Sequence, residues 1–92
     1  MSKSIISNDR VCIVCGTTEN LHRHHIFYGV NRKISEREGC WVYLCGYHHN
    51  MSNYGVHFNK KLDTDLKQMC QSTWEKDKSR EDFIKTFGRS WL

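Results

Sequence analysis

The chain has 92 residues with a net charge of +4, five cysteines, six histidines and no proline, and its mean hydropathy of −0.70 leaves a thin core for one small domain, which buries only about 60–65% of its unfolded surface. No run approaches the roughly 20 apolar residues of a membrane-spanning helix, and MSKSIISNDR lacks the apolar stretch of a secretory leader. These features predict a cytoplasmic protein with no membrane partner, whose reduced cysteines serve metal before disulfides; the mild basic charge is compatible with nucleic acid without establishing it.

In chain order, residues 1–10 read as a polar arm, and VCIVCG (11–16) as a tight knuckle closed by Gly16. NLHRHHIFYG (20–29) reads as a strand ended by Gly29, VNRKISEREG (30–39) as a polar loop, and CWVYLC (40–45) as a β-branched and aromatic strand. Tyr54, Phe58, Leu62, Leu66, Met69, Cys70 and Trp74 then recur every three or four residues, which predicts a helix from Val56 to Lys76. A short last helix starts at Ser79, with Asp82 completing a capping box. Phe83, Ile84 and Phe87 form its apolar side, Gly88 stops it, and Trp91 and Leu92 tuck back onto the core. The whole is expected to be one α+β domain over 1–92, its central part at 11–60 and a helical part at 61–92.

Cys12-x-x-Cys15 and Cys45-x-x-His48 have the spacing of two half-sites that converge on one tetrahedral ion. Four protein ligands close the shell, which is the pattern of a structural zinc, and its binding energy would offset the thin core. The competing reading is a redox pair, but such pairs sit at a strand-to-helix junction, and here Gly-Thr-Thr and a strand follow. Cys70 falls on the apolar helix face and Cys40 at a strand start, so both read as buried thiols, with Cys40 as a spare ligand the alternative.

The remaining histidines follow the period of a strand. His22 and His24 share one face, while His25 shares the other with Arg23 and Phe27. His49 directly follows the last knuckle ligand. One strand histidine and helix-end residues could therefore build a second metal site, with few protein ligands and room for water and a phosphate oxygen.

Cys-x-x-Cys, then His-His-Ile, then Leu-Cys-x-x-His-His resembles the HNH endonuclease superfamily over residues 11–60. LHRHHIF with HHNMSNYGVHFN and LKQMCQSTWE resembles, more narrowly, small HNH proteins of phages and prophages. The resemblance implies a small zinc-stabilised ββα-metal fold, with a two-stranded antiparallel hairpin plus helices and an additional C-terminal helix. It implies a metal-dependent endonuclease that hydrolyses phosphodiester bonds in DNA. His24 would bind the catalytic ion (Mg²⁺, Mn²⁺, Ni²⁺ or Zn²⁺), His25 would act as general base, and His49 would be a further ligand. Asn53 or His57 would complete the shell, with His57 favoured as the commoner transition-metal ligand. Arg23, Arg32, Lys33, Arg37, Lys60 and Lys61 could grip backbone phosphates, against a default of solvated surface charge. Tyr28, Tyr47 and Tyr54 could stack bases, against a default of packing. The family allows a homodimer or a place in a larger phage or recombination complex. The pattern departs at the family's middle asparagine, which helps hold the general base: Cys40 stands there, and Asn31 is the nearby candidate substitute. The competing class is a non-catalytic zinc module that binds nucleic acid or a protein partner.

Overall fold

A computed structural model describes residues 3–50, 52 and 55–92. Its centre is a hairpin of two five-residue strands, β1 (Leu21–His25) and β2 (Trp41–Cys45), paired antiparallel. The register sets His22 opposite Leu44, His24 opposite Val42 and His25 opposite Trp41. Val42 and Leu44 are buried, so one face of β2 is committed to the core. β1 is shorter than the stretch read from the sequence, yet Ile26 and Phe27 beyond it are also buried.

The connection between the strands corrects the sequence reading. Residues 30–39 were expected to be a loop; instead a 3₁₀ turn (Gly29–Asn31) leads into helix α1 (Arg32–Arg37). Ser35 is the buried residue of α1, so no apolar stripe announced it. The Ser35 hydroxyl donates to the Cys40 carbonyl and accepts from the Phe27 amide at 3.2 Å. One serine thus pins α1 between the ends of both strands.

After β2 comes α2 (Gly46–His49), a single turn. Helix α3 runs over Lys60–Trp74 and starts four residues later than predicted. Its true cap is Asn59, whose side-chain oxygen accepts from the Leu62 amide at 3.2 Å. Phe58 therefore lies in a turn, 65% exposed, and not on the apolar face; Met69 is also exposed. Tyr54 lies outside the described residues. Leu66, Cys70 and Trp74 are buried as the helical period predicted.

α4 (Arg80–Phe87) has the predicted capping box between Ser79 and Asp82 and the left-handed glycine at Gly88. Phe83 and Phe87 are buried and pack with Phe27, the ring centroids being 4.6 Å apart for Phe27–Phe87 and 4.7 Å for Phe83–Phe87. Burying each such ring is worth about 1.5–3 kcal/mol. Ile84 and Leu92 are exposed, contrary to expectation, whereas Trp91 packs on the core with its amide donating to Gln71 Oε1 at 2.7 Å.

The polar arm is not loose over its described part. Ser4 is buried and its hydroxyl donates to the Trp41 carbonyl at 2.6 Å, while the Ile5 amide donates to Gly39 at 2.9 Å. A side chain at Gly39 would collide with the Lys3 carbonyl. Cys40 and Cys70 are fully buried; a hydrogen bond from Cys40 and burial both push the Cys70 thiol up, which keeps it protonated. No helix among the described residues is long and apolar enough to cross a membrane.

Candidate metal centres

Two clusters of ligating side chains flank the hairpin. The first is Cys12, Cys15, Cys45 and His48, each offering one ligand atom within 4.8 Å of the others. Gly16 closes the first knuckle in a left-handed conformation, φ 78°, with its amide on the Cys12 carbonyl at 2.8 Å. The Ile13 amide donates to Tyr43 at 3.0 Å and ties that knuckle to β2. Cys45 ends β2, and α2 turns His48 back toward it.

The donor spacings fit a tetrahedral ion. Bond lengths of about 2.3 Å to sulfur and about 2.0–2.1 Å to nitrogen give edges of about 3.8 Å between sulfurs and about 3.5 Å between sulfur and nitrogen. Cys15 and Cys45 sulfurs are 3.8 Å apart, and His48 Nδ1 lies 3.4 Å from Cys45 Sγ and 3.8 Å from Cys12 Sγ. Burial works to raise the Cys12 thiol, but the backbone amides of Cys45, Cys15 and Val14 overcome it and bring it down to about 6. The Thr17 amide pulls Cys15 down; burial and the Cys12 and Cys45 sulfurs outweigh it. Three crowded sulfurs, that of Cys12 drawn toward thiolate by backbone amides, are what a cation would relieve. The cysteine pair sits in a turn ahead of β1, not at the strand-to-helix junction of a redox motif.

The second cluster is His24, His49 and His57, whose ligand nitrogens also lie within 4.8 Å of one another. His24 comes from β1, His49 from the last position of α2, and His57 from the turn before α3. Gly55 makes this possible. The chain returns over α2 so closely that a Cβ at Gly55 would stand 2.7 Å from the His49 carbonyl oxygen. The His57 amide donates to that same carbonyl at 3.2 Å, and the Val56 amide donates to His48 at 2.8 Å. His49 Nε2 and His57 Nε2 are then 3.1 Å apart. Asn53, the other candidate for this position, lies outside the described residues.

Burial pulls the His24 imidazole down to about 3, helped by His49 and His57, and burial with His57 and His22 takes His49 down to about 4. Both rings are therefore neutral near pH 7 and carry a lone pair. His24 Nε2 is buried with no hydrogen-bond partner among the described residues, an expensive state that a metal ion would relieve. The residues fit a divalent ion with positions left over.

His24, His49 and His57 line a cleft of about 250 Å³ together with Arg23, His25, Tyr28 and Arg32. His25 Nε2 is 2.9 Å from Glu36 Oε1, and Arg23 meets Glu36 Oε2 at 2.6 Å. The Arg23 guanidinium carbon lies over Trp41, 3.6 Å from the ring centre. Strand alternation was read correctly: the odd positions go to Glu36 and the even ones to the histidine cluster. Glu36 itself was missed, because its role depends on α1. The Asn31 side-chain amide donates to the Phe87 carbonyl at 3.0 Å, which ties it to the end of α4.

The other basic candidates are scattered. Lys60 lines a neighbouring cleft with Tyr28 and His57, Lys33 is exposed, and Arg37 and Lys61 pair with Glu38 and Asp65 at 3.1 and 2.8 Å. Tyr28 and Tyr47 are both about half exposed, at 46% and 51%. No family model, curated protein or solved structure matches the chain.

Proposed function

We propose that the chain is a metal-dependent endonuclease of the HNH type, with zinc in the Cys12, Cys15, Cys45 and His48 shell and a divalent hydrolytic ion at His24, His49 and His57. One observation carries the reading: three imidazoles whose ligand nitrogens converge share a cleft with a fourth, His25, that is held by a carboxylate. A closed four-ligand shell suits a scaffold, whereas an open three-ligand shell beside a base suits hydrolysis.

When bound, the divalent ion supplies positive charge to the scissile phosphate and the departing oxygen. The chain's own groups do the rest. Donation of His25 Nε2–H to Glu36 leaves Nδ1 as the proton acceptor. His25 Nδ1 takes a proton from water as the water oxygen bonds to phosphorus. The bond from phosphorus to the 3′ oxygen breaks, and that oxygen takes a proton from solvent, leaving a 5′-phosphate. Arg23 and Arg32 line the cleft and suit non-bridging phosphate oxygens. The contact with Trp41 and the pairing with Glu36 hold the Arg23 guanidinium in place in advance. In this reading Glu36 takes over the positioning that the family gives to its asparagine. DNA is the proposed substrate, in keeping with the net charge of +4.

The test is nicking of supercoiled plasmid with Mg²⁺, Mn²⁺ or Ni²⁺, by the wild type and His25→Ala in parallel. The expected result is metal-dependent nicking, lost in the variant with the fold intact. The second reading, a non-catalytic nucleic-acid-binding zinc module, draws on the burial of Cys40 in the core, which leaves the asparagine position without a polar group. DNA binding without cleavage in every metal would select it.

A further inference from the structure

We infer that His22 is a positioning residue for the metal ligand His49, fixing the proton on one ring nitrogen so that the other is free to coordinate. The inference rests on the three-histidine cluster as a metal site and is independent of phosphodiester cleavage.

The two nitrogens of His49 have different partners. Nδ1 lies 2.8 Å from His22 Nδ1, and Nε2 lies 3.1 Å from His57 Nε2. Strand alternation puts His22 on the face of His24, two residues earlier, and the His22 and His49 ring centroids are 5.0 Å apart. A neutral imidazole has one proton, and two Nδ1 atoms at hydrogen-bond distance share one between them. Two arrangements satisfy that contact. If His22 donates, His49 holds its own proton on Nε2 and that nitrogen cannot bind metal. If His49 donates, its Nε2 is bare, beside His57 Nε2 and the unpartnered His24 Nε2. Only the second arrangement lets the three-histidine cluster load through Nε2 of His49.

His22 is not a member of the ligand cluster. Its nitrogen occupies the side of the His49 ring turned away from His57, where a hydrogen-bonding neighbour orients a metal-bound histidine and raises its basicity. The only ring nitrogen of His22 in the contact must then act as acceptor, with its own proton on Nε2. The contact also holds the His49 ring against rotation about its Cβ–Cγ bond.

The experiment uses full-length protein with its cysteine shell loaded with zinc, titrated with Co²⁺ and followed by visible absorption. His22→Phe keeps the ring shape and removes the acceptor; His22→Gln keeps an acceptor oxygen. We expect His22→Phe to weaken Co²⁺ binding by about 10–100-fold and His22→Gln to recover most of that loss, with the thermal midpoint and bound zinc unchanged in both. A long-range ¹H–¹⁵N correlation spectrum of the wild type loaded with Zn²⁺ at both sites should place the His49 proton on Nδ1. Equal Co²⁺ affinity in wild type and His22→Phe would overturn the inference and leave the metal site standing. So would a His49 proton on Nε2 in the zinc-loaded spectrum, which needs no variant. A wild type that takes up no second ion overturns the metal-site reading itself.

Discussion

The two clusters share a peptide bond, between His48 and His49, yet are built on opposite plans. The cysteine cluster takes its ligands from two knuckles of local spacing, and all four positions are filled by protein. The histidine cluster gathers one ligand each from a strand, a one-turn helix and a loop, and remains open on the side of the cleft. The first is a feature of sequence made rigid by backbone turns. The second exists only because the fold assembles it, and it retains an unsatisfied nitrogen. Filling every position favours stability; leaving some open favours chemistry.

The largest effect should come from breaking the first plan. Cys12→Ser or Cys45→Ser would remove a ligand from the proposed zinc shell; such ions contribute on the order of 10–16 kcal/mol in zinc-finger peptides, more than a domain of this size holds in reserve. Circular dichroism and amide dispersion should show an unfolded chain; a folded Cys12→Ser protein would refute the structural-ion reading. Next comes the second plan. His24→Ala should abolish binding of the second ion with the first retained, read by elemental analysis after mild EDTA treatment. His25→Ala should leave both ions bound and lower plasmid nicking by about 10²–10⁴-fold, the usual range for a lost general base.

Gly55→Ala sharpens the comparison further. Its new methyl group would meet backbone, which cannot swing aside, so the return segment must shift and take His57 with it. Second-ion affinity should fall by about tenfold, in the range of an outer-shell defect, with the cysteine site intact. Glu38 should give the smallest effect. Burial pushes its carboxyl up, but the Trp74 indole N–H at 3.0 Å and Arg37 hold it below its ordinary value of 4.5. Its folded pKa is depressed, so its contribution is full above pH 4.5 and is lost as pH falls through the lower folded value. Glu38→Gln should cost about 1 kcal/mol at pH 7 and less as the pH falls below that window, measured by urea denaturation.

What could be read in the sequence follows the same divide. The Cys-x-x-Cys and Cys-x-x-His halves, the alternating histidines of β1 and the Ser79 capping box all depend on neighbours within four residues, and all were legible. Helix α1 was not, because its buried anchor is a serine held by hydrogen bonds and Ile34 is its single apolar residue, too little to show a helical period. Without α1, Glu36 could not be linked to His25. The start of α3 was misplaced because Phe58 happens to continue the apolar period, although Asn59 carried a capping signal that was available. His22 had no evident role until α2 brought His49 against it. Tertiary contact, not local preference, decides each of these.

The shared turn has one further consequence. α2 has only four residues, far too few to hold a helix by itself, so its shape depends on His48 being anchored. Adjacent residues in one turn rotate together. His22 and the return segment already hold His49, and in the proposed two-ion reading closure of the cysteine shell adds a further hold through His48. The proposed reading therefore predicts a hierarchy: an ion in the cysteine shell would steady His48 and with it the aim of His49, so stripping that shell would weaken the open site without touching any of its ligands.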